Sequence, residues 1–375
     1  AEVYTIGQVP TECLYFAVGK YDFDAGVMIT ASHNPKEYNG FKMMKHNGKD
    51  IVWIRGTDLL TSVEPDYFNS ESDFIMKDKD IWPDYLDYIR PFSGDSKLLK
   101  IVVDASNGVI GSVISKIKDK LPVNIIDLNF EPDGNFPNHS PNPLEKGSVD
   151  QIAKKMKEET AHFGVMFDGD ADRIFLVDEN GQLVRGDVTL LLLAKYFLKK
   201  NPGMAVAYNV ICSKAVPELI TKWGGVPVRT AVGFVNVREG LIKNNGIMGG
   251  ETSCHYCFRD YFYMDSGMIA FLTLLQVISE DGRKVSEMVK EFSPYAKSGE
   301  INFKVDDKEA VLSALKAKYV NSKQDFLDGI TVEYQDWWFN VRPSNTEPLL
   351  RLTIEAKTED LLQQRQVELT ELINH

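Results

Sequence analysis

The sequence is poor in cysteine and histidine and contains no long apolar run. Its 375 residues include four cysteines and six histidines. Cys254 and Cys257 form a lone CxxC, and neither Cys13 nor Cys212 has a second cysteine nearby to complete a zinc site. No apolar run approaches the length that spans a bilayer, and the N-terminus lacks the basic and apolar pattern of a signal peptide. These features predict a cytoplasmic protein with no membrane partner.

Positive charge is also scarce. The chain has 42 Lys and Arg against 54 Asp and Glu, a formal net charge of −12. A surface of this sign repels nucleic acid unless the basic residues cluster, and here they are spread along the chain. The composition therefore argues against a nucleic-acid partner. An anionic substrate has to be captured locally, by a few arginines and backbone amides.

Short apolar segments alternate with amphipathic ones, which indicates an α/β fold of several domains. Strands are predicted over residues 26–30, 100–104, 163–167 and 174–177. Helices are predicted over 10–20, 148–158, 187–199, 267–279 and 358–374. The last 80 residues carry strand patterns at 330–334, 337–341 and 350–355. The predicted fold class is multidomain, with mixed α/β sheet domains and a smaller C-terminal α+β domain.

Turn-rich segments suggest where the domains meet. Residues 91–96, the neighbourhood of Gly186 and residues 293–299 are rich in the residue types that interrupt helices and strands. The predicted domains are 1–95, 96–186, 187–296 and 297–375.

Two polar loops each follow a predicted strand. Residues 30–35 read Thr-Ala-Ser-His-Asn-Pro, in which Ser32 is a candidate nucleophile if a base or metal lies beside it. An ordinary turn before proline is the alternative. Residues 168–172 read Asp-Gly-Asp-Ala-Asp, and carboxylates at alternate positions can converge on a hard cation. The metal ligands predicted from this loop are Asp168, Asp170 and Asp172.

An EF-hand is the main competing interpretation of the acidic loop, because Glu179 stands at its twelfth position. Arg173 occupies the place where an EF-hand needs glycine, and apolar strands flank the loop on both sides. We therefore favour a divalent site between two strands over an EF-hand or a solvated acidic turn.

Two further loops carry groups suited to a sugar phosphate. Residues 249–255 read Gly-Gly-Glu-Thr-Ser-Cys-His, where the glycines permit close approach and Glu251 and Ser253 can bond hydroxyls. Residues 342–348 read Arg-Pro-Ser-Asn-Thr-Glu-Pro, a set suited to cradling a phosphate around the Arg342 charge. A plain glycine turn and an N-capping turn are the respective alternatives.

The four loops, in this order, resemble those of the α-D-phosphohexomutase superfamily, and most closely its phosphomannomutase/phosphoglucomutase branch. The resemblance extends over nearly the whole chain. It implies an enzyme of the isomerase class, an intramolecular phosphotransferase that interconverts hexose 1-phosphate and hexose 6-phosphate, of mannose and/or glucose. It also implies a phosphoserine enzyme, a sugar bisphosphate intermediate and Mg²⁺ as the cofactor.

The resemblance further implies a role for each matching residue. Ser32 would carry the phosphoryl group, and Lys42 would act as the acid–base group, with His255 as second choice. Arg173 and the metal would lower the pKa of Lys42. The metal ligands implied are Ser32, Asp168, Asp170 and Asp172. The substrate-binding residues implied are Gly233, Arg238, Glu251, Ser253, Arg342, Ser344, Asn345 and Thr346.

One departure from the family pattern concerns the start of the chain. Members begin with a further βαβ stretch that opens near a Gly-Ile-Arg-Gly motif, so we expect the first domain here to be N-terminally incomplete. That expectation leaves open a catalytically impaired sugar-phosphate-binding protein. A metal-dependent phosphatase is the other alternative, because it would use the same serine and metal.

Overall fold

Strands and helices alternate along the chain, as the sequence predicts. The computed structural model describes residues 2–48, 50–60, 75–94, 99–344 and 348–374. These residues form two compact units, one of residues 1–185 with 253–286 and one of residues 186–252 with 287–375. Within the described ranges, no helix combines the length and apolar character needed to cross a bilayer.

The secondary-structure elements are numbered in chain order. The strands are β1 (Glu2–Thr5), β2 (Ala25–Ile29), β3 (Phe41–His46), β4 (Ile51–Ile54), β5 (Ile75–Asp78), β6 (Leu99–Asp104), β7 (Val123–Leu128), β8 (Phe163–Phe167), β9 (Ile174–Val177), β10 (Ala205–Asn209), β11 (Val226–Thr230), β12 (Met248–Gly250), β13 (Tyr256–Phe258), β14 (Met264–Asp265), β15 (Ala296–Phe303), β16 (Lys323–Asp325), β17 (Ile330–Glu333), β18 (Trp337–Pro343) and β19 (Leu350–Ala356). The helices are α1 (Thr11–Tyr21), α2 (Gly56–Leu60), α3 (Trp82–Ile89), α4 (Ile110–Ile117), α5 (Asp150–Glu159), α6 (Gly186–Lys200), α7 (Ala215–Lys222), α8 (Phe234–Lys243), α9 (Gly267–Asp281), α10 (Val285–Phe292), α11 (Lys308–Lys318) and α12 (Glu359–Asn374).

The acidic loop lies at the edge of a buried sheet in the first unit. Its strand order is β7-β6-β8-β9, with β6 parallel to β7 and β8, and with β9 antiparallel to β8. Every residue of β8 and β9 is buried, as expected of apolar strands inside an α/β sheet. The loop that joins β8 to β9 is thereby fixed at both ends and presents its carboxylates at one edge of the sheet.

The serine loop follows a second sheet of the same unit. The antiparallel order is β2-β3-β4, and Met28 of β2 pairs with Lys42 of β3. Residues 30–40 connect these two strands, so the sheet register places Lys42 close to the loop that contains Ser32. Helix α1 packs against β2 and buries Leu14 and Val18.

The second unit contains a parallel and an antiparallel sheet. Strands β10, β11 and β12 are parallel, with β10 between the other two. The antiparallel order β15-β19-β18-β17-β16 forms the expected C-terminal α+β fold, with α12 packed on β15 and β19. Phe339, Leu352 and Leu369 are fully buried in its core.

Candidate active site

Ser32 lies in a backbone conformation that non-glycine residues rarely adopt. Its φ is +55°, in the left-handed region. The Ser32 amide donates a hydrogen bond to Thr30 Oγ1 at 2.8 Å, and Ser32 Oγ lies 3.1 Å from His33 Nδ1. Burial, followed by the charges of Arg173 and His255, lowers the pKa of His33 to about 4. The ring of His33 is therefore neutral near pH 7 and can accept the hydroxyl proton of Ser32 in a hydrogen bond.

The acidic loop gathers three buried carboxylates. Asp168, Asp170 and Asp172 each contribute one oxygen, and these atoms all lie within 4.8 Å of one another. Asp170 Oδ1 is buried and has no hydrogen-bond partner among the described residues. A buried carboxylate oxygen without a donor is costly, and a cation would satisfy it. The site therefore fits a divalent metal held by hard oxygen ligands.

Gly169 lets the serine loop lie directly on the acidic loop. A Cβ atom at this position would come within 2.7 Å of the Ser32 carbonyl oxygen, closer than side-chain carbons approach. Only glycine accommodates the main chain at that separation. The structure therefore brings the predicted nucleophile and the predicted metal ligands together.

Two basic residues neutralise part of this negative charge. Lys42 Nζ donates to Asp170 Oδ2 at 2.8 Å and also contacts Asp172. Arg173 Nε donates to Asp168 Oδ2 at 2.6 Å, and the Arg173 amide donates to Asp168 Oδ1 at 3.2 Å. Arg173 Nε also lies 3.9 Å from Asp172 Oδ1, so both cations face Asp172.

Burial and these ion pairs shift the pKa values in opposite directions. Burial raises the pKa of Asp168 to about 7 despite the Arg173 charge. Burial also opposes ionisation of Asp172, but Lys42 and His255 beside it hold its pKa well below the usual value. The pKa of Lys42 lies above its ordinary range, because the attraction of Asp172 and Asp170 outweighs desolvation. We expected Arg173 and the metal together to lower that pKa; the carboxylates that face the ammonium act in the opposite direction, and the effect of the metal stays a prediction.

The third loop, residues 249–255, contacts the acidic loop through its main chain. Arg173 and His255 form an isolated antiparallel β-bridge. His255 Nε2 lies 3.6 Å from Asp172 Oδ1, and His255 Nδ1 lies 3.1 Å from Ser253 Oγ. Burial would lower the pKa of His255, but the Asp172 carboxylate raises it above the ordinary value. Of the third loop, Ser253 and His255 therefore belong to the same unit as Ser32.

Sequence analysis missed several residues of this site. Asp265, the last residue of β14, joins Asp172 and His255 in a second group whose ligand atoms lie within 4.8 Å. Burial raises the pKa of Asp265 to about 8. Thr11 and Thr30 both donate to Asp170 Oδ2. Thr11 lies 159 positions from Asp170 in the chain, so no local pattern could have revealed the contact.

The second unit holds the other half of the third loop. Glu251 is buried, and its Oε1 accepts hydrogen bonds from the Gly233 amide at 2.8 Å and from Asn209 Nδ2 at 3.2 Å. Two predicted substrate residues, Gly233 and Glu251, therefore touch each other. Arg238, in α8, is also buried. These contacts order the loop that follows β12.

Arg342 is buried at the end of β18, where an acid holds it. Its Nη2 donates to Glu300 Oε2 at 2.8 Å, and Arg351 Nη1 donates to Glu300 Oε1 at 2.9 Å. The Ser344 amide donates to the Leu349 carbonyl at 2.8 Å. Asn345 and Thr346, the other predicted residues of this loop, lie outside the described residues.

Comparison with known proteins identifies all four segments of one family. The matching family models are phosphoglucomutase/phosphomannomutase alpha/beta/alpha domain I over residues 1–53, domain II over 83–181, domain III over 185–295 and the C-terminal domain over 300–372. Three kinds of feature thus coincide: the domain order, the acidic loop and the serine loop.

Individual relatives agree with this match. A phosphomannomutase of Methanocaldococcus jannaschii is 36% identical over all of this chain and 84% of its own length. A phosphomannomutase of Vibrio cholerae is 37% identical over 99% of this chain and 83% of its own. A phosphoglucomutase/phosphomannomutase family structure from Burkholderia thailandensis has a TM-score of 0.85 at 28% identity, covering 100% of this chain and 82% of that one. The chain therefore belongs to the phosphoglucomutase/phosphomannomutase family of hexose phosphate mutases, enzymes of the isomerase class.

Proposed function

We propose that this chain interconverts the 1- and 6-phosphates of mannose and of glucose, in the cytoplasm, through a phosphorylated Ser32. The observation that carries the proposal is the seating of the Ser32 main chain on the acidic loop at Gly169. That contact holds a hydroxyl nucleophile beside three carboxylates suited to a divalent ion. Sugar hydroxyls would be bound by the third loop, and Arg342, Ser344, Asn345 and Thr346 would hold the phosphate that does not react.

In the proposed cycle, phospho-Ser32 faces the free hydroxyl of a hexose monophosphate. The bond between phosphorus and Ser32 Oγ breaks as a bond from the hydroxyl oxygen to phosphorus forms. The hydroxyl proton passes to a base, and an acid returns a proton to Ser32 Oγ. The product is a hexose bisphosphate, and the reverse reaction at its other phosphate restores phospho-Ser32. Lys42 and His255 are the residues proposed for the proton transfers.

Mg²⁺ is the ion proposed for the acidic loop. Asp168, Asp170 and Asp172 would hold it, together with an oxygen of phospho-Ser32, and this set of hard oxygens suits Mg²⁺. When bound, the ion neutralises charge on the transferring phosphoryl group. Lys42 contacts Asp170 and Asp172, and Arg173 holds Asp168, so the chain's own cations orient all three carboxylates.

The test measures isomerised sugar phosphate and free phosphate in the same reaction. Mannose 1-phosphate and glucose 1-phosphate are supplied with Mg²⁺ and a trace of hexose 1,6-bisphosphate. We expect 6-phosphate products from the parent and none from Ser32→Ala, because the variant lacks the covalent carrier. Ser93→Ala is a matched control, since Ser93 is a half-buried serine in the same unit whose hydroxyl donates to the Arg90 carbonyl.

The alternatives give distinct results in this assay. Free phosphate released in bulk without isomerised product would indicate a metal-dependent phosphatase. Binding of hexose phosphate without turnover would indicate an impaired sugar-phosphate-binding protein. Turnover retained in Ser32→Ala would refute the phosphoserine mechanism.

A further inference from the structure

Among the described residues, one oxygen of Asp170 accepts every hydrogen bond made to that side chain. Thr11 Oγ1 donates to Asp170 Oδ2 at 2.7 Å, Thr30 Oγ1 at 2.9 Å and Lys42 Nζ at 2.8 Å. The other oxygen, Oδ1, is buried and has no hydrogen-bond partner in the part of the chain that the structure describes. Three donors saturate one oxygen and fix the rotation of the carboxylate about its χ angles. Oδ1 is thereby the buried oxygen that is left without a donor among the described residues.

Thr11 donates hydrogen bonds to the acidic loop from both its main chain and its side chain. It is the first residue of α1 and is fully buried. Its amide donates to the Asp170 carbonyl at 3.0 Å, while its hydroxyl holds Oδ2 of the same residue. The first amides of a helix lack partners within the helix, and here one of them is satisfied by the acidic loop. The start of α1 therefore fixes both the backbone and the carboxylate of Asp170.

Thr30 connects the carboxylate to the serine loop. Its hydroxyl accepts a hydrogen bond from the Ser32 amide at 2.8 Å and donates its single proton to Asp170 Oδ2 at 2.9 Å. A hydroxyl that accepts from one group and donates to another has a fixed direction. The Thr30 side chain thus links the left-handed conformation of Ser32 to the rotation of the Asp170 carboxylate.

We infer that Thr11 and Thr30 are positioning residues, which turn Asp170 so that Oδ1 is its metal ligand. The inference rests on the proposed metal site and adds two residues to it that lie outside the acidic loop. Hydrogen-bond donors behind a ligand orient it and tune its affinity for the metal, and their loss typically weakens binding by about 10–100-fold. Thr30 also positions Ser32, whereas Thr11 acts on the acidic loop alone.

Metal binding, measured without substrate, tests this inference. Mn²⁺ serves as the probe, and its dissociation constant is determined by electron paramagnetic resonance. Thr11→Val and Thr30→Val keep the side-chain shape and remove the hydroxyl, so we expect the dissociation constant to rise about 10-fold or more in each. Thr11→Ser and Thr30→Ser keep the hydroxyl and should bind Mn²⁺ as the parent does.

Thr273→Val is the matched control. Thr273 is a fully buried threonine of α9 in the same unit, and its hydroxyl has no hydrogen-bond partner among the described residues. This variant should therefore leave the Mn²⁺ dissociation constant unchanged. A circular dichroism spectrum and a thermal midpoint close to those of the parent establish that each valine variant is folded.

Failure of the inference and failure of the metal site give different results. Asp170→Asn is measured alongside, and it must lose Mn²⁺ binding if the acidic loop is the site. If Asp170→Asn loses binding while both valine variants bind as tightly as the parent, the two threonines do not position the ligand. If the parent and Asp170→Asn bind Mn²⁺ equally, the proposed metal site itself is wrong.

Discussion

Arg342 is held in place by an ion pair that would suit its proposed role in binding an anion. Its guanidinium is buried and paired with Glu300, which also holds Arg351 across the β18–β19 pair. The carboxylate fixes the rotamer of Arg342 before any substrate arrives, so less side-chain freedom is lost on binding. A phosphate dianion brought to this place would meet a positive group already in position.

The Arg342→Ala variant should therefore bind hexose phosphates poorly. Hydrogen bonds to charged groups contribute about 1.5–3 kcal/mol, which corresponds to a rise in KM of roughly 10- to 100-fold. The Mn²⁺ dissociation constant should not change. Arg351→Ala is the matched control, because it removes the other guanidinium that pairs with Glu300 and lies outside the predicted phosphate cradle. The KM of this variant should stay near the parent's. Equal KM values for Arg342→Ala and the parent would refute the phosphate-binding role.

Lys42 shows where reasoning from residue types was insufficient. The motif that contains it resembles the family's acid–base position, and this part of the prediction remains untested. The direction of its pKa depends on which side chains face the ammonium, and these are Asp170 and Asp172, more than 120 positions away. Spacing along the chain contains no information about such neighbours.

At the scale of elements, α1 is anchored by a buried carboxyl. Glu12 accepts hydrogen bonds from Tyr85 of α3 and from Ser266, and it accepts one from the Met268 amide of α9 at 3.2 Å. The Tyr261 hydroxyl donates to the Glu12 carbonyl at 2.7 Å. Desolvation outweighs these hydrogen bonds and raises the pKa of Glu12 to about 7. The helix that carries Thr11 is thus held by a group that titrates near neutrality.

The pH dependence of stability should show this titration. Between the ordinary pKa of 4.5 and the folded value of about 7, the folded state binds more protons at Glu12 than the unfolded state. The free energy of unfolding therefore falls as pH rises through this window, by about 3 kcal/mol for this group. Urea unfolding at pH 5 and pH 8 gives the fall in the free energy of unfolding between the two pH values. This fall should be smaller in Glu12→Gln than in the parent by about this amount.

Comparing the fall in the free energy of unfolding between the parent and Glu12→Gln separates the contribution of Glu12 from that of other groups. Burial also raises the pKa values of Asp168 and Asp265, so the variant should retain part of the fall. Equal falls in the parent and in Glu12→Gln would show that Glu12 ionises as freely in the folded protein as in the unfolded chain.

Elements with continuous apolar runs were predictable from sequence. The helix predicted at 267–279 is α9 (Gly267–Asp281), which begins at the Ser266 N-cap, and the strands predicted at 163–167 and 174–177 are β8 and β9. Strands β3 and β4 were missed, because the sequence of β3, Phe-Lys-Met-Met-Lys-His, has no clean alternation and β4 has four residues. Their pairing with β2 depends on contacts that local pattern does not encode.

The candidate site was predictable in composition but not in geometry. The three aspartates and Ser32 were found from motifs, and the structure places them together. Thr11, Thr30 and Asp265 come from separate parts of the chain, and only the folded arrangement brings them to the acidic loop. The four domain boundaries remain a prediction.

At the scale of the whole molecule, metal binding should couple to stability. A ligand that binds only the folded state stabilises it by about 2.7 kcal/mol at 100 times its dissociation constant. We expect Mg²⁺ to raise the thermal midpoint in a concentration-dependent way and EDTA to reverse the rise. Asp170→Asn should show neither effect. A midpoint that responds to Mg²⁺ equally in both proteins would place the stabilising ion elsewhere.

The net negative charge of the molecule does not by itself favour an anionic phosphoserine. With a net charge of −12, the protein does not attract anions in general. The proposed phosphoryl group would therefore have to be held by local groups, namely the acidic loop with its ion, Lys42 and Arg173. In the proposed cycle this group resides on Ser32 and passes to and from the sugar.

Transfer of labelled phosphoryl groups tests whether Ser32 is the residue that carries the phosphoryl group. The protein is incubated with Mg²⁺ and hexose 1,6-bisphosphate labelled in its phosphates, then digested, and the labelled peptide is identified by mass spectrometry. We expect label on Ser32, its removal when unlabelled hexose 6-phosphate is added, and no label in Ser32→Ala. Label on another residue, or steady turnover of hexose 1-phosphate with Ser32 never labelled, would contradict it.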